Sequence, residues 1–280
     1  MKYLSLFSGV GGFELGIGEK AECIGFSEID KYATQIYKKH FPNHKNYGDI
    51  TKINTSTLPD FDLLVGGFPC QSFSIAGKRG GFNDTRGTLF FDVAKILKEK
   101  QPRLCLLENV KGLLSHEQGA TFRTIISTLD ELGYDCQWQV LNSKNFNVPQ
   151  NRERVFIIGH LRGTSRPKVF PITSTNDSHI KLTTQSVQQQ DRTVSPEGIS
   201  PCLASNTTFD KWNVDFGCTK IRRLTPKECE RLQGFPDNWT EKGTDINSNE
   251  VYISDTQRYK SLGNAVTTNV IKEIICRLVK

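Results

Sequence analysis

The chain has 280 residues with 36 lysine or arginine against 30 aspartate or glutamate, a formal net charge of +6 that is mildly basic and compatible with nucleic-acid binding. Its eight cysteines form no Cys-x-x-Cys pair and no cluster with the five histidines, so no metal site is predicted and a reducing compartment is expected. No secretory signal and no apolar run of membrane-spanning length is present, which predicts a soluble, cytoplasmic protein. The length allows one long domain or a large domain plus a smaller one.

A glycine-rich turn follows the first predicted strand. Tyr3–Phe7 has the apolar character of a short buried strand, Ser8–Phe13 contains three glycines, and Glu14 opens a helix-like segment. Strand, glycine turn and helix together are typical of a nucleotide-binding unit. The spacing is not the full Gly-x-Gly-x-x-Gly of a dinucleotide site, so a plain tight turn is the alternative.

Two acidic residues come next, each beside an apolar segment. Glu28 ends the second predicted strand, Cys23–Ser27, where a carboxylate can accept hydrogen bonds from both hydroxyls of a ribose. Asp49 can accept from the exocyclic amine of an adenine while Ile50 packs on the face of the ring. The alternative for Asp49 is that it caps the following turn.

The stretch Gly66–Ser74 contains Cys70, the candidate nucleophile of the chain. It follows an apolar run, and its paired glycines and Pro69 allow a sharp, stiff turn immediately after a strand. Open α/β sheets place their chemistry at such strand ends, where a thiol can act as a nucleophile. The alternative is a half-buried loop cysteine without a chemical role.

Three further polar residues are predicted to lie near this turn. Glu108 ends the apolar run Leu104–Leu107, level with Cys70 in a parallel sheet, so its carboxyl can act as a general acid. Arg152 and Arg154 alternate at the entry to the next strand, and their guanidinium donors suit an anionic or carbonyl-bearing substrate. Capping or ion-pairing roles at the surface are the alternatives for all three.

In this order along the chain, the motifs resemble those of DNA cytosine-C5 methyltransferases of the bacterial and phage restriction-modification type. The resemblance covers nearly the whole chain, and its matching blocks are Phe7–Gly12, Gly67–Gln71, Glu108–Val110, Gln150–Arg154, Arg223–Pro236 and Gly263–Val266. It implies an α/β fold with a Rossmann-like, S-adenosylmethionine-dependent large domain and a small, mostly β or irregular target-recognition domain. Residues 1–170 with 257–280 would form the catalytic and cofactor-binding domain, and residues 171–256 the target-recognition domain.

The resemblance also implies a role for each site residue. S-adenosylmethionine would be held, with Glu28 on its ribose, by Phe7, Gly9, Gly11, Glu28, Ile29, Asp49, Ile50, Pro69, Leu89, Asn264 and Val266. Cys70 would attack C6 of a flipped-out cytosine, and Glu108 would engage N3 and the exocyclic amine. Arg154 would bind O2, and Arg152 would lie near the thiolate.

Double-stranded DNA is the implied partner of what is expected to be a monomer, and whether a separate restriction endonuclease accompanies it stays open. One alternative is a tRNA cytosine-C5 methyltransferase of the related branch, which usually has Pro-Pro-Cys where this chain has Phe68-Pro69-Cys70. Another is a DNA-binding regulator without activity, which the presence of all the catalytic residues disfavours. Relatives often carry Thr-Leu where this chain has Cys202-Leu203, so a thiol replaces the hydroxyl that would contact DNA.

Overall fold

The computed structural model describes residues 1–69, 89–173, 193–194, 200–201, 213–215 and 221–279. Cys70 and, apart from three short strands, residues 174–220 of the predicted target-recognition domain lie outside these ranges. The described strands are β1 (Lys2–Leu6), β2 (Glu22–Ser27), β3 (Leu63–Gly67), β4 (Leu104–Val110), β5 (Tyr134–Asn142), β6 (Gln150–Asn151), β7 (Glu153–Leu161), β8 (Thr193–Val194), β9 (Ser200–Pro201), β10 (Asn213–Asp215), β11 (Ile221–Arg223), β12 (Lys242–Thr244) and β13 (Glu250–Tyr252).

The described helices are α1 (Gly12–Ile17), α2 (Lys31–His40), α3 (Leu89–Lys100), α4 (Ala120–Glu131), α5 (Pro226–Leu232), α6 (Asp255–Asn264) and α7 (Thr268–Leu278). Asp30 caps α2 by accepting hydrogen bonds from the amides of Tyr32 and Ala33. Thr225 and Glu228 form a reciprocal capping box at the start of α5, with Pro226 in the first turn, as the sequence Thr-Pro-x-Glu predicts. Within the described ranges, no helix has the length and apolar character needed to cross a membrane.

A six-stranded sheet with the order β2-β1-β3-β4-β7-β5 forms the centre of the molecule. Its first four strands are parallel, and β7 runs antiparallel to both β4 and β5. Elsewhere β11-β10-β8, β12-β13 and β6-β9 form small sheets. The inner strands are nearly continuous apolar runs because helices cover both faces of the large sheet.

Alternate residues along the strands build two separate apolar layers. On one face, Leu4, Leu64 and Leu107 pack with residues of α3 and α4. On the other face, strand residues such as Leu63 and Leu106 pack with α1 and α7. This arrangement of helices on both sides of a largely parallel sheet confirms the predicted α/β methyltransferase fold.

A third apolar cluster lies beside the turn between β1 and α1. It joins Val10 of that turn to residues of α2, α5, α6 and the loops between them, among them Ala33, Phe235, Trp239 and Leu262. The cluster spans the predicted domain boundary at residues 256–257, and the division into two domains stays a prediction. Through this cluster, residues that are distant in sequence pack against Val10 of the glycine turn.

The carboxyl group of Glu14, on α1, is buried, with an exposed fraction of only 2%. Burial raises the pKa of Glu14 to about 7. A carboxyl in an unfolded chain titrates near 4.5. The folded protein therefore holds this proton more tightly than the unfolded chain does.

We expect Glu14→Gln to raise the free energy of unfolding by up to about 3 kcal/mol at pH values above 7, and to change it least below 4.5. The raised folded-state pKa means that the stabilising contribution of protonated Glu14 is complete below the unfolded pKa and is lost as pH rises through the folded one. Urea unfolding across this pH range measures the difference. Glu19→Gln, at an exposed position just beyond α1, is the matched control, and a benefit of Glu14→Gln that does not vary with pH would contradict the assignment.

Candidate active site

The turn between β1 and α1 has a backbone that few sequences can adopt. Phe7, Gly9 and Gly11 all have positive φ angles, of 53°, 55° and 87°. A positive φ is unfavourable for phenylalanine, and it is freely available to glycine. A Cβ atom added to Gly9 would have no atom of the described residues within 4 Å, so the described part of the chain leaves this side of the turn open. The turn therefore offers its backbone to a ligand.

Glu28 closes the same turn from the end of β2. Its Oε2 accepts a hydrogen bond from the amide of Gly9 at 2.9 Å, and its Oε1 accepts from the amides of Ile29 and Asp30, both at 2.8 Å. Asn46 binds the Glu28 backbone carbonyl through Nδ2 at 3.2 Å. Three of the four lone-pair sites of the carboxylate are therefore occupied, and the remaining site, on Oε2, can still accept a hydrogen bond from a ribose hydroxyl.

The residues predicted to lie near an adenine, Ile29, Asp49 and Ile50, differ in how far their side chains are exposed. The side chain of Ile29 is 75% exposed, whereas Ile50 is 6% exposed and belongs to the core. Asp49 caps the short 3-10 helix Ile50–Lys52 by accepting from the amide and hydroxyl of Thr51, at 3.0 and 2.8 Å. The capping role considered for Asp49 is thus observed, and its contact with an adenine stays a prediction.

Strand register places Glu108 beside the turn that leads to Cys70. Gly67, the last residue of β3, pairs with Glu108 in the parallel ladder. A Cβ atom on Gly67 would lie 3.1 Å from Glu108 Oε2, so a glycine keeps this approach open. Asn109 Nδ2 donates to the carbonyl of Phe68 at 2.9 Å and fixes the start of the turn. Pro69 is exposed and is the last residue described before Cys70.

Glu108 and Arg154 form an ion pair at this edge of the sheet. Arg154 Nε lies 3.1 Å from Glu108 Oε1, and the side chains are only 15% and 11% exposed. Burial raises the pKa of Glu108, and the positive charges of Arg154 and Arg152 oppose that rise without cancelling it. The carboxyl therefore keeps a proton to higher pH than a free glutamate, as a general acid requires.

Arg152 connects the sheet to the C-terminal loop. Its side chain is 2% exposed, and its Nη1 and Nη2 both donate to the carbonyl of Gly263 at 3.2 Å. Nη2 also donates to the carbonyl of Ala265 at 2.7 Å. The predicted position of Arg152 near a thiolate lies beyond what is described, because Cys70 falls outside the described residues. Among its described contacts, Arg152 holds the loop that follows Asn264, the last residue of α6.

That loop brings the last predicted cofactor residues to the N-terminal turn. Val266 is 7% exposed, and its Cγ2 would lie 2.9 Å from a Cβ atom on Gly12. Its Cγ1 would lie 4.0 Å from a Cβ on Gly67, so Val266 sits between the first turn and the end of β3. Asn264 is exposed at the end of α6, and Leu89 is partly buried at the start of α3.

Sequence analysis missed three residues that shape the site. Asn46 anchors Glu28, Asn109 anchors the carbonyl of Phe68, and Trp239 donates its indole N–H to the carbonyl of Val10. Asn109 lies inside the Glu-Asn-Val block, so its position was a usable signal. Asn46 and Trp239 come from loops remote in sequence from their partners, and no local pattern marks them.

Comparison with known proteins agrees with this geometry. A family model described as C-5 cytosine-specific DNA methylase matches residues 1–197 and 179–280. The type II methyltransferase M1.ScrFI of Lactococcus lactis subsp. cremoris is 39% identical over 98% of this chain and 76% of its own length. The type II methyltransferase M.HhaI of Haemophilus parahaemolyticus is 35% identical over 98% of this chain and 93% of its own.

Solved structures show the same fold at lower identity. A variant of Spodoptera frugiperda DNMT2 covers 100% of this chain and 99% of its own, with a TM-score of 0.76 and 21% identity. A putative DNA modification methyltransferase encoded within an E. coli prophage covers 99% of this chain and 98% of its own, with a TM-score of 0.69 and 20% identity. With the family match along its whole length and a methyltransferase fold around the predicted motifs, the chain belongs to the C-5 cytosine-specific DNA methylases and is an enzyme of that class.

Proposed function

We propose that the protein methylates C5 of a flipped-out cytosine in double-stranded DNA, using S-adenosylmethionine and a covalent bond between Cys70 and C6. The observation that carries the proposal is the buried Glu108, which has a raised pKa, is paired with Arg154, and lies level with the end of the strand that leads to Cys70. An acid at this point can protonate the ring that a neighbouring thiolate attacks.

The residues around the first turn fit S-adenosylmethionine, whose contribution when bound is an electrophilic methyl group on a sulfonium centre. Open space beside Gly9 leaves room for the ligand, and the Glu28 carboxylate stands at the edge of that space. The exposed side chain of Ile29 offers an apolar surface next to Glu28, which suits an adenine ring. We therefore assign the cofactor to this turn, together with the other cofactor-binding residues that the resemblance implies.

Cytosine C5 is a weak nucleophile, and the side chains of this site are arranged to activate it. The Cys70 thiolate forms a bond to C6, the electrons of the C5–C6 double bond shift to C4–C5, and those of the C4–N3 double bond move onto N3, which takes up a proton from Glu108. The resulting enamine has a nucleophilic C5. Once C5 had gained the methyl group and S-adenosylhomocysteine had left, a base would take the C5 proton, the Cys70 thiolate would be expelled from C6, and N3 would return its proton to Glu108.

Arg154 has two tasks in this scheme. It binds O2 of the cytosine, and its Nε holds the Glu108 carboxyl in place at 3.1 Å. The atoms that react are inaccessible inside a duplex, so the target cytosine must leave the base stack. We place recognition of the surrounding bases in the segment from about Thr173 to Thr219, since the catalytic blocks lie outside this range. The enzyme would act in the cytoplasm as a monomer.

Transfer of labelled methyl groups tests the proposal directly. The protein is incubated with methyl-labelled S-adenosylmethionine and either duplex DNA or tRNA, and label is expected in DNA at C5 of cytosine. Bisulfite sequencing of DNA from an expressing host then locates the modified cytosine. Label in tRNA alone would favour the tRNA methyltransferase alternative, and DNA binding without transfer to either substrate would favour a regulator.

Glu28→Ala should weaken S-adenosylmethionine binding by roughly tenfold or more, because hydrogen bonds to a charged acceptor contribute about 1.5 to 3 kcal/mol. The change also removes the acceptor for the Gly9 amide. Titration calorimetry measures the dissociation constant, and Glu22→Ala, exposed at the opposite end of β2, is the matched control. A change in the dissociation constant of no more than about twofold, far smaller than that energy predicts, would show that the ribose does not bind at Glu28.

A further inference from the structure

A tryptophan far away in the sequence holds the turn between β1 and α1. The indole Nε1 of Trp239 donates a hydrogen bond to the backbone carbonyl of Val10 at 2.8 Å. Val10 lies between Gly9 and Gly11, so this bond fixes the middle of the turn. We propose that Trp239 is a positioning residue that holds the turn in the conformation that binds S-adenosylmethionine, an inference that rests on the proposed function.

The turn needs such a support because its own sequence does not favour one conformation. Gly9 and Gly11 have wide backbone freedom in an unfolded chain, and Phe7 is held at an unfavourable positive φ. An unfavourable backbone conformation persists only where its surroundings over-determine it. Glu28 binds the Gly9 amide on one side of the turn, and Trp239 binds the Val10 carbonyl from another.

Trp239 is itself held in one orientation. The His40 ring stacks on its indole, with ring centroids 3.5 Å apart and planes only 4° from parallel. Nε2 of His40 lies 2.7 Å from the backbone carbonyl of Trp239, and since a carbonyl can only accept, Nε2 is the donor. Phe235 packs against the indole with a centroid separation of 5.6 Å. These contacts fix the indole ring in the orientation that directs its N–H at the carbonyl of Val10.

A buried carboxylate fixes the backbone on both sides of Trp239. Glu230 has an exposed fraction of 0%, and it accepts hydrogen bonds from the amides of Asn238 at 2.7 Å and Thr240 at 2.8 Å. Arg258 Nη2, on α6, lies 3.2 Å from the same carboxylate. A buried ion pair contributes little net stability, so the network is better explained as specifying a single conformation of this loop.

The affinity for S-adenosylmethionine depends on the fraction of molecules in which the turn has the binding conformation. When the turn samples other conformations, the apparent dissociation constant rises in inverse proportion to that fraction. Loss of one hydrogen bond to the turn corresponds to a rise of roughly three- to tenfold. The groups at the ends of β3 and β4 are untouched, so turnover at saturating cofactor should stay within about twofold of the wild type.

The test is Trp239→Phe, which removes the indole donor and keeps an aromatic ring against His40. Binding of S-adenosylmethionine and S-adenosylhomocysteine is measured by calorimetry, and KM and kcat by transfer of labelled methyl groups to DNA. We expect the Kd and the cofactor KM to rise roughly three- to tenfold at nearly constant kcat. Trp138→Phe, about half exposed on β5 and packed on Phe122, is the matched control and should leave all three unchanged.

A second variant covers the case in which Trp239→Phe does not fold. His40→Leu, on α2, removes both the stacked ring and the bond to the Trp239 carbonyl, and we expect a smaller rise in Kd in the same direction. A Kd within about twofold of the wild type in Trp239→Phe, with a lowered melting temperature, would show a purely structural role and overturn the proposal. The same result for His40→Leu would overturn it if that variant alone folds. Failure of the wild type to bind either ligand would instead refute the proposed function.

Discussion

Cys70→Ser should lower kcat by a factor of about 10³ or more while leaving the Kd for S-adenosylmethionine within about twofold of the wild type. A thiol ionises near neutral pH and a thiolate adds readily to C6, whereas a serine hydroxyl stays neutral and is a poor nucleophile. The cofactor turn between β1 and α1 is built from other residues, so its affinity should survive. Single-turnover methylation and calorimetry measure the two quantities separately.

DNA that carries 5-fluorocytosine at the target position tests the covalent bond between Cys70 and C6. Fluorine at C5 leaves no proton to lose, so the bond between Cys70 and C6 cannot be released after methyl transfer. The wild type should form a denaturant-resistant complex with this DNA in the presence of cofactor, and Cys70→Ser should not. Cys276→Ser, partly buried on α7, is the control and should behave as the wild type does. Methylation by Cys70→Ser near the wild-type rate would remove Cys70 from the mechanism.

Glu108→Gln should lower kcat by about 10²- to 10⁴-fold with little change in the KM for DNA. Glutamine has the same shape and can stay beside Arg154, but it has no acidic proton to deliver to N3. Burial raises the pKa of Glu108, so in the wild type the acid form persists to higher pH than in a free glutamate and declines as pH rises through that pKa. The wild-type kcat should therefore decrease at high pH as Glu108 loses its proton, and this decrease should be absent in the variant.

Glu131→Gln, at an exposed position at the end of α4, provides the control for Glu108→Gln and should retain wild-type turnover. Measuring kcat against pH for the wild type and both variants separates the loss of an acid from a general loss of folded protein. If Glu108→Gln kept a kcat within about threefold of the wild type, well short of the effect of losing a general acid, the proton at N3 would have to come from another group.

Much of the fold follows from patterns that act over a few residues. The apolar runs that became β1, β3 and β4 are recognisable because strands buried on both faces lack polar alternation. Thr225, Pro226 and Glu228 predict the start of α5 because a capping box needs only neighbouring residues. Glu108 was expected level with the turn before Cys70, and its pairing with Gly67 confirms this, because parallel strands end at the same edge of a sheet.

The ordered set of motifs also identified the family, which the matches along the whole chain confirm. By contrast, the roles assigned to Cys70 and to the target-recognition domain stay predictions, since Cys70 and residues 174–220, apart from three short strands, lie outside the described ranges. The adenine contact of Asp49 stays one as well, because the structure shows the other role that its sequence position allows, a cap on the next turn. A short acidic side chain after a glycine suits both roles, and sequence alone does not separate them.

Only the tertiary structure decided which distant residues support the site. Arg152 binds the carbonyls of Gly263 and Ala265, more than 100 positions away, and Trp239 reaches Val10 across 229 positions. Burial likewise set the raised pKa of Glu14 and of Glu108. Sequence patterns record the preferences of a residue and its neighbours, whereas these contacts depend on how whole elements pack against one another. For this protein, local motifs predict the candidate reacting groups, whereas the residues that position the cofactor turn become visible only in the tertiary structure, because packing places them there.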